Sequence, residues 1–406
     1  MKLAKFYDGV ELHREEKMVY ARLVAPHRVL STCRSCSGGL HDDLQYIYNH
    51  QSCEPAGGHM NSRMHILAVD RPEEYKREVA SSHNLPFQKC ATLGTAANMN
   101  NAAICHERFQ DLEVVTVCTG GVEGNAGRAG DPASYYEPQE ESADERAEKG
   151  GGLEPGTINA MIFINRELLP GAMVTAVLTA TEAKTAALQE LEIPSRYSEG
   201  LATGTGTDQI AVASRLGGRA IAFAGKHSKV GELIGRTMHD AVLRTLSLQN
   251  GLTPAGQSSS LAHLERFRID EQEMCQGIGK FLSKDDADLF KKSFSNIIKD
   301  PITVAAVAAL VHLRDKFVWG ILPKSCTAEI MVLYGAQISA AVSGKSQRIN
   351  DYMQMLSSLQ KSLDKQFFLE FVYQAFALGF SEKWADPKSE GCGGAGCGDE
   401  EAAITQ

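Results

Sequence analysis

Apolar runs of strand length recur through the first 250 residues, each closed by glycine or by polar residues. They lie in "GGHMNSRMHILAVD" at 57–70, "LEVVTVCTGG" at 112–121, "PGTINAMIFINREL" at 155–168 and "GRAIAFAGKH" at 218–227. Between them lie stretches of helical period. "RPEEYKREVASSH" at 71–83 is short and charged, whereas "PGAMVTAVLTATEAKTAALQELEIP" at 170–194 is apolar on nearly all sides through residue 181, the mark of a buried helix. After residue 250 the helical period takes over. "SKDDADLFKKSFSNIIK" opens with Ser283 as N-cap and two carboxylates in the first turn.

These elements fall into two copies. In each, a run carrying an asparagine (Asn61 or Asn159) leads through a helix to "CATLGTAANMNNAA" at 90–103 or "LATGTGTDQIAVAS" at 201–214. A second apolar run follows, then a glycine turn, "TGGVEGNAGRAGD" at 119–131 or "AGKHSKVGELIGR" at 224–236. The predicted fold class is therefore α/β, or α+β. It is a pseudo-symmetric, duplicated strand-helix-strand-strand domain over 1–250, followed by a mostly α-helical C-terminal extension over 251–387. The halves run from about 50 to 131 and from 155 to 250, and ligand is expected in the cleft between them. The acidic, then glycine-rich stretch 135–155 reads as a mobile loop, and the Cys/Gly-rich tail 388–406 as disordered.

Composition narrows the function. With 41 Lys+Arg against 50 Asp+Glu, a net charge of −9 argues against a nucleic-acid backbone as partner. The first twenty residues lack a signal-peptide core, so the expected location is cytoplasmic. No membrane span is expected, because "PITVAAVAALVHLRDKFVWGIL" is broken by His312, Arg314, Asp315 and Lys316. A homo-oligomer is compatible with this composition, which says nothing further of assembly. The ten cysteines, including Cys33-Arg-Ser-Cys36 and the tail pair Cys392 and Cys397, read as ordinary reduced thiols. No histidine or carboxylate cluster has metal-ligand spacing, so no metal is expected. "LATGTGTDQI" at 201–210 is no phosphate loop either: it lacks the lysine, and Asp208 would repel a phosphate.

Taken together, "PGTINAMIFINRELLPGAMVTAVLTATEAKTAALQELEIP", "ATGTGTDQIAVAS", "AGKHSKVGELIGRTMHDAV" and "TGGVEGNAGRAGDP" resemble, in order and spacing, the adenosylcobinamide amidohydrolase family over roughly residues 20–250. The resemblance implies hydrolysis of the amide joining aminopropanol to the f-side-chain propionate of adenosylcobinamide. Adenosylcobyric acid for cobalamin salvage would be released. The corrinoid is then the small-molecule substrate and no cofactor is consumed. Rival readings are a corrinoid carrier that does not cut, a self-processing threonine amidohydrolase acting on another amide, and, third, a nucleotide-dependent kinase or ligase.

Amide hydrolysis needs a nucleophile, donors for the oxyanion and an acid for the leaving amine. Gly204 and Gly206 let backbone N–H groups converge, Thr205 and Thr207 offer hydroxyls, and Asp208 can serve as base. Water activated by Asp208 is preferred over a threonine freed by cleavage at Gly204–Thr205 or Gly206–Thr207. Glu182 and Lys184 interrupt the buried helix and, two residues apart, diverge too far to pair with each other. His227, in a glycine turn with Lys226, is the candidate proton donor. Glu123, Asn125, Arg128 and Asp131 are assigned to orienting the corrinoid amides or to a second carboxylate facing Asp208 across the pseudo-twofold, and Asn61 and Asn159 are either site amides that hold the substrate or turn residues.

Overall fold

The structure, a computed structural model, describes residues 1–52, 63–133, 156–359 and 361–384. It comprises two units, Met1–Asp270 and Glu271–Gln406. In the first, strands β1 (Lys2–Phe6), β2 (Val10–Glu15), β3 (Met18–Leu23), β6 (Tyr46–Gln51) and β7 (Cys90–Thr95) form a five-stranded sheet in the order β1-β2-β3-β6-β7. A six-stranded sheet takes β4 (His27–Ser31), β5 (Gly39–His41), β8 (Ala103–Phe109), β9 (Leu112–Thr119), β11 (Asn159–Ile164) and β13 (Gln209–Arg215). Its order is β5-β4-β13-β11-β9-β8. A short ribbon, β10 (Ala126–Gly127) against β12 (Gly204–Thr205), stands apart from both.

Strand alternation explains the layering. In β11, Met161 and Phe163 face one way and Ala160, Ile162 and Ile164 the other, so both faces are apolar and the strand is buried on both. The first set meets Val10, Leu12, Ile47 and Leu93 of the five-stranded sheet in a core between sheets. The second packs under α3 (Pro170–Glu190) and α4 (Lys229–Asn250) through Ala176, Ala180, Ile234 and Val242. On the far face of the five-stranded sheet, Met18, Tyr48 and Cys90 meet Leu67 of α1 (Arg63–Asp70) and Tyr75 and Val79 of α2 (Pro72–Ser82). Unit one is thus helix, sheet, sheet, helix in four layers. Helix α3 starts on Pro170, whose fixed φ suits a first turn; α4 is capped by Ser228 Oγ on the Gly231 N–H and stopped by left-handed Gly251.

The expected α/β class holds, with three differences in detail. Residues 63–70 of the first proposed strand are helix α1, and 53–62, Asn61 among them, lie outside the described residues. The stretch 218–227 is no strand: left-handed Gly217 and Gly218 turn the chain, and Ile221 alone makes a bridge, to Leu168. One parallel strand-helix-strand unit does occur in each sheet, β6 to β7 and β11 to β13. The copies nevertheless do not form two lobes, because β8 and β9 of the first lie in the same sheet as β11 and β13 of the second. The loop 135–155 and the tail also lie outside the described residues.

The second unit is helical: α6 (Glu271–Gly279), α7 (Lys284–Ile298), α8 (Pro301–Val318), α9 (Thr327–Ser343), α10 (Ile349–Ser357) and α11 (Lys365–Ser381), after the short α5 (Ser260–Leu264) of unit one. Ser283 and Asp300 cap α7 and α8. By length and composition, one stretch among the described residues is apolar enough to cross a membrane. It is Lys324–Ser343 rather than 301–322, and α7 with α8 passes that test only as a pair bent by 81°. The Lys324–Ser343 stretch packs closely on α11, where Ser339 Oγ donates to the Ala375 carbonyl at 2.8 Å.

Candidate active site

At one end of the sheet sandwich, a cavity of about 330 Å³ opens where both sheets present strand ends. Ser52 and Thr95 come from the ends of β6 and β7, Thr32–Ser35 follow β4, and Thr157, Asp208 and Gln209 sit at the starts of β11 and β13. Buried amides tie the sheets together beneath it. Asn159 Nδ2 donates to Asn49 Oδ1 (3.0 Å) and to the Gly94 carbonyl (2.8 Å), while its Oδ1 accepts the Gln209 N–H (3.1 Å). Asn49 Nδ2 in turn donates to Thr119 Oγ1 at 2.6 Å. Asn159 is fully buried and does not line the cavity, so its amide is used within the fold rather than presented to a ligand. At the other wall, His50 Nδ1 meets the Tyr75 hydroxyl at 2.8 Å, and burial, reinforced by His83 and Lys17, lowers its pKa to about 4.

The glycine-threonine loop is laid along α3. Thr185 Oγ1 donates to the Thr203 carbonyl (3.1 Å), Gln189 Nε2 to the Ala202 carbonyl (2.9 Å), and the Lys184 ammonium pairs with Asp208 Oδ2. Asp208 also accepts the Ile158 N–H (2.8 Å), the Thr205 N–H (3.0 Å) and the Thr205 hydroxyl (2.6 Å). Both carboxylate oxygens therefore carry two donors each, which fills their lone pairs. Gly204 is needed here because a methyl group would overlap the Asp208 carboxylate and the Lys184 ammonium. Thr205 spends its hydroxyl on Asp208, not on the carbonyl before it.

Beside this loop, three polar groups on the wall of the cavity, of Gly156, Thr157 and Thr207, meet the buried Asn125 amide behind it. Thr157 Oγ1 and Thr207 Oγ1 are 2.5 Å apart. The Gly156 carbonyl lies 2.8 Å from the first, 2.9 Å from the second and 3.2 Å from Asn125 Nδ2. Asn125 is buried, and its other end, Oδ1, accepts the Tyr197 hydroxyl at 2.8 Å. The Gly206 N–H donates to the Asn125 carbonyl at 3.3 Å, and the β10–β12 ribbon keeps the two glycine loops in this register. The arrangement offers a hydroxyl pair, but the loop N–H groups expected to converge on an oxyanion are turned to other partners: Gly206 N–H to the Asn125 carbonyl, Thr205 N–H to Asp208, and Asn125 Nδ2 to Gly156 and Thr207.

Other residues singled out in the sequence stand elsewhere. Glu182 pairs with Lys226 on the surface, their side chains 54% and 65% exposed, and neither lines the cavity. His227 is exposed just before the α4 cap, and Glu123 is exposed. Asp131 fastens a turn: its carboxylate accepts the Arg128 N–H (2.7 Å) and the Ser195 hydroxyl (2.5 Å). Burial opposes its ionisation, but the Ser195 and Ser198 hydroxyls and the Arg128 N–H hold its pKa below the usual value. The Arg128 guanidinium donates to the Leu201 carbonyl at 3.4 Å. None of these reaches the cavity. Sequence reasoning missed Thr157, although Gly156-Thr157 is the same dipeptide as the two noticed downstream. It also missed the cavity-lining Ser52 and His65, 3.5 Å apart, and Cys33, whose sulfur accepts the Thr92 N–H at 3.4 Å. Seven cysteines lie among the described residues, all free thiols. Among those residues no three His, Cys, Asp or Glu side chains gather in a metal-holding group.

A cavity at the strand ends of a layered α/β unit is the candidate ligand site of this fold. The family is narrower than that class. The adenosylcobinamide amidohydrolase (CbiZ) family model matches residues 3–254, which include every residue of the cavity, and the chain belongs to that family. The chain is also similar to an uncharacterised protein, MJ1613, of Methanocaldococcus jannaschii, at 36% identity over 187 residues, 45% of this chain and 72% of the relative.

Proposed function

We propose that the protein hydrolyses the amide linking aminopropanol to the f side chain of adenosylcobinamide, giving adenosylcobyric acid and free aminopropanol. Within a family named for that reaction, the observation that carries the reading is the hydroxyl pair of Thr157 and Thr207 on the cavity wall beside Asn125. Pockets for drug-sized ligands run from about 300 to 1,000 Å³. At about 330 Å³ the cavity suits an amide arm, with the far larger corrin ring lying across its mouth. The arm's carbonyl then meets a threonine hydroxyl as nucleophile.

In this reading Asp208 is an anchor, not the base that activates water, because four donors already occupy its oxygens. It fixes Thr205 and the start of β11, and so the position of Thr207 relative to Thr157. Glu182, Lys226 and His227 take no part. The test is incubation of purified protein with adenosylcobinamide, without nucleotide or added metal, followed by liquid chromatography and mass spectrometry. Adenosylcobyric acid and aminopropanol are the expected products. A corrinoid that is bound yet stays intact would replace hydrolysis with carriage.

A further inference from the structure

We propose that the chain cuts its own Gly156–Thr157 peptide bond and that Thr157, so made N-terminal, is the nucleophile. The second half rests on the hydrolytic reading above; the cut itself does not.

The cluster holds fewer hydroxyl protons than short contacts. Three short contacts join Thr157 Oγ1, Thr207 Oγ1 and the Gly156 carbonyl oxygen, at 2.5, 2.8 and 2.9 Å. Each hydroxyl has one hydrogen, so only two of the three can be hydrogen bonds at once. At 2.5 Å the two hydroxyls must share one. If Thr157 donates to Thr207, then Thr207 donates to the carbonyl and Asn125 Nδ2 donates to it as well. Both carbonyl lone pairs are filled, the C=O bond is polarised, and Thr157 Oγ1 stands 2.8 Å from the carbonyl oxygen with its own proton drawn away. Donors set where an oxyanion will form are the arrangement that lowers the barrier to attack on a carbonyl. The backbone packs tightly there: a Cβ on Gly156 would lie 3.1 Å from the Asn125 backbone nitrogen and 3.2 Å from the Gly121 carbonyl.

The step balances with water alone. Thr157 Oγ1 bonds to the Gly156 carbonyl carbon and the C–N bond breaks. The hydroxyl proton passes through Thr207 to the departing nitrogen, leaving an ester and a free amine. Water then hydrolyses the ester to the Gly156 carboxylate and the restored Thr157 hydroxyl. The freed α-amine is the base that a threonine nucleophile otherwise lacks here. On substrate, the amine takes the hydroxyl proton as Oγ1 attacks the arm's amide carbon and passes it to aminopropanol as that amine leaves. Water next releases adenosylcobyric acid from the acyl ester. The fold survives the cut, since β9 pairs with β11 and β4 with β13 across the two fragments.

The experiment is intact mass of the purified full chain under denaturing conditions, with N-terminal sequencing, beside native gel filtration. Two fragments are expected, one ending at Gly156 and one beginning at Thr157, eluting together natively. Thr157→Ala should stay in one piece, Thr157→Ser should cut, and Thr207→Val should slow cutting at least tenfold. Recovery of cutting in Thr157→Ser separates lost chemistry from misfolding. A wild-type chain that stays whole after incubation, or Thr157→Ala cut at the same bond, overturns the proposal. A whole chain that still releases aminopropanol would sink the cut alone. A cut chain that leaves adenosylcobinamide intact would uphold the cut and sink the hydrolytic reading.

Discussion

Replacing Asp208 with asparagine separates an anchoring carboxylate from a catalytic one. The carboxylate accepts from two backbone N–H groups, the Thr205 hydroxyl and Lys184, with side chains only 16% and 12% exposed at the pair. Asparagine keeps one acceptor, but its NH2 then faces donors that had met Oδ2. Hydrogen bonds to a charged group are worth about 1.5–3 kcal/mol each, and breaking a buried pair costs about 3–5 kcal/mol. For a pair at a cavity rim the expected loss is about 3 kcal/mol. Lys184→Met, which leaves Asp208 three donors, should cost about half as much. The double variant should cost no more than Asp208→Asn alone, a coupling of about 1.5 kcal/mol. A loss of about 3 kcal/mol lowers the melting temperature by roughly 6–12 °C in a unit of this size. Circular dichroism follows both units, whereas both tryptophans, Trp319 and Trp384, belong to the second unit, so their fluorescence serves as an internal control. A variant that melts like the wild type yet hydrolyses nothing would refute the anchoring argument and restore Asp208 as the base.

Gly204→Ala should act on the same pair by steric means, lowering stability by about 1–3 kcal/mol and hydrolysis with it; thermal melts and product assays check both. Glu182→Gln, Lys226→Ala and His227→Ala should leave the melting temperature within about 2 °C of wild type and hydrolysis unchanged, and a tenfold loss of rate in any of them would contradict their placement. His27 and His50 are held neutral, chiefly by burial, with pKa values of about 4 each, below the ordinary 6.5. Their contribution to stability is therefore complete above pH 6.5 and is lost as the pH falls toward 4, by about 1.4 kcal/mol per pH unit per group. Melting temperatures equal at pH 7.5 and pH 5 would refute this.

What the sequence made legible depended on how local the cause was. The apolar run of β11 and the existence of helix α3 were visible because periodicity acts over a few residues, but α3 is not buried on all sides as expected: Val174 and Leu178 are exposed and only the face of Ala172, Ala176 and Ala180 is covered. The divergence of Glu182 from Lys184 was also visible, since helix geometry alone sends one to the surface and the other to Asp208. Long-range pairing was not. Nothing local says that β8 and β9 join the sheet of β11, or that 204–205 pairs with 126–127. Nor did the 218–227 run betray that two left-handed glycines would take it out of the sheet.

The misplacement of chemistry has the same physical origin. In sequence, Gly-Thr-Gly-Thr-Asp draws the eye because hydroxyls and a carboxylate are dense there, but density does not say which oxygen remains available. Asp208 and Thr205 are absorbed in holding the loop, and the loop hydroxyl that lines the cavity, Thr207, is paired with Thr157, 50 positions earlier in the chain. That pairing exists because parallel β11 and β13 start side by side, Asn159 opposite Gln209, which brings the residues preceding each strand together. Strand register, rather than motif composition, decides which hydroxyls meet at the cavity wall. It follows that a substitution shifting the β11–β13 register should abolish activity even with every polar residue of the 201–210 loop intact.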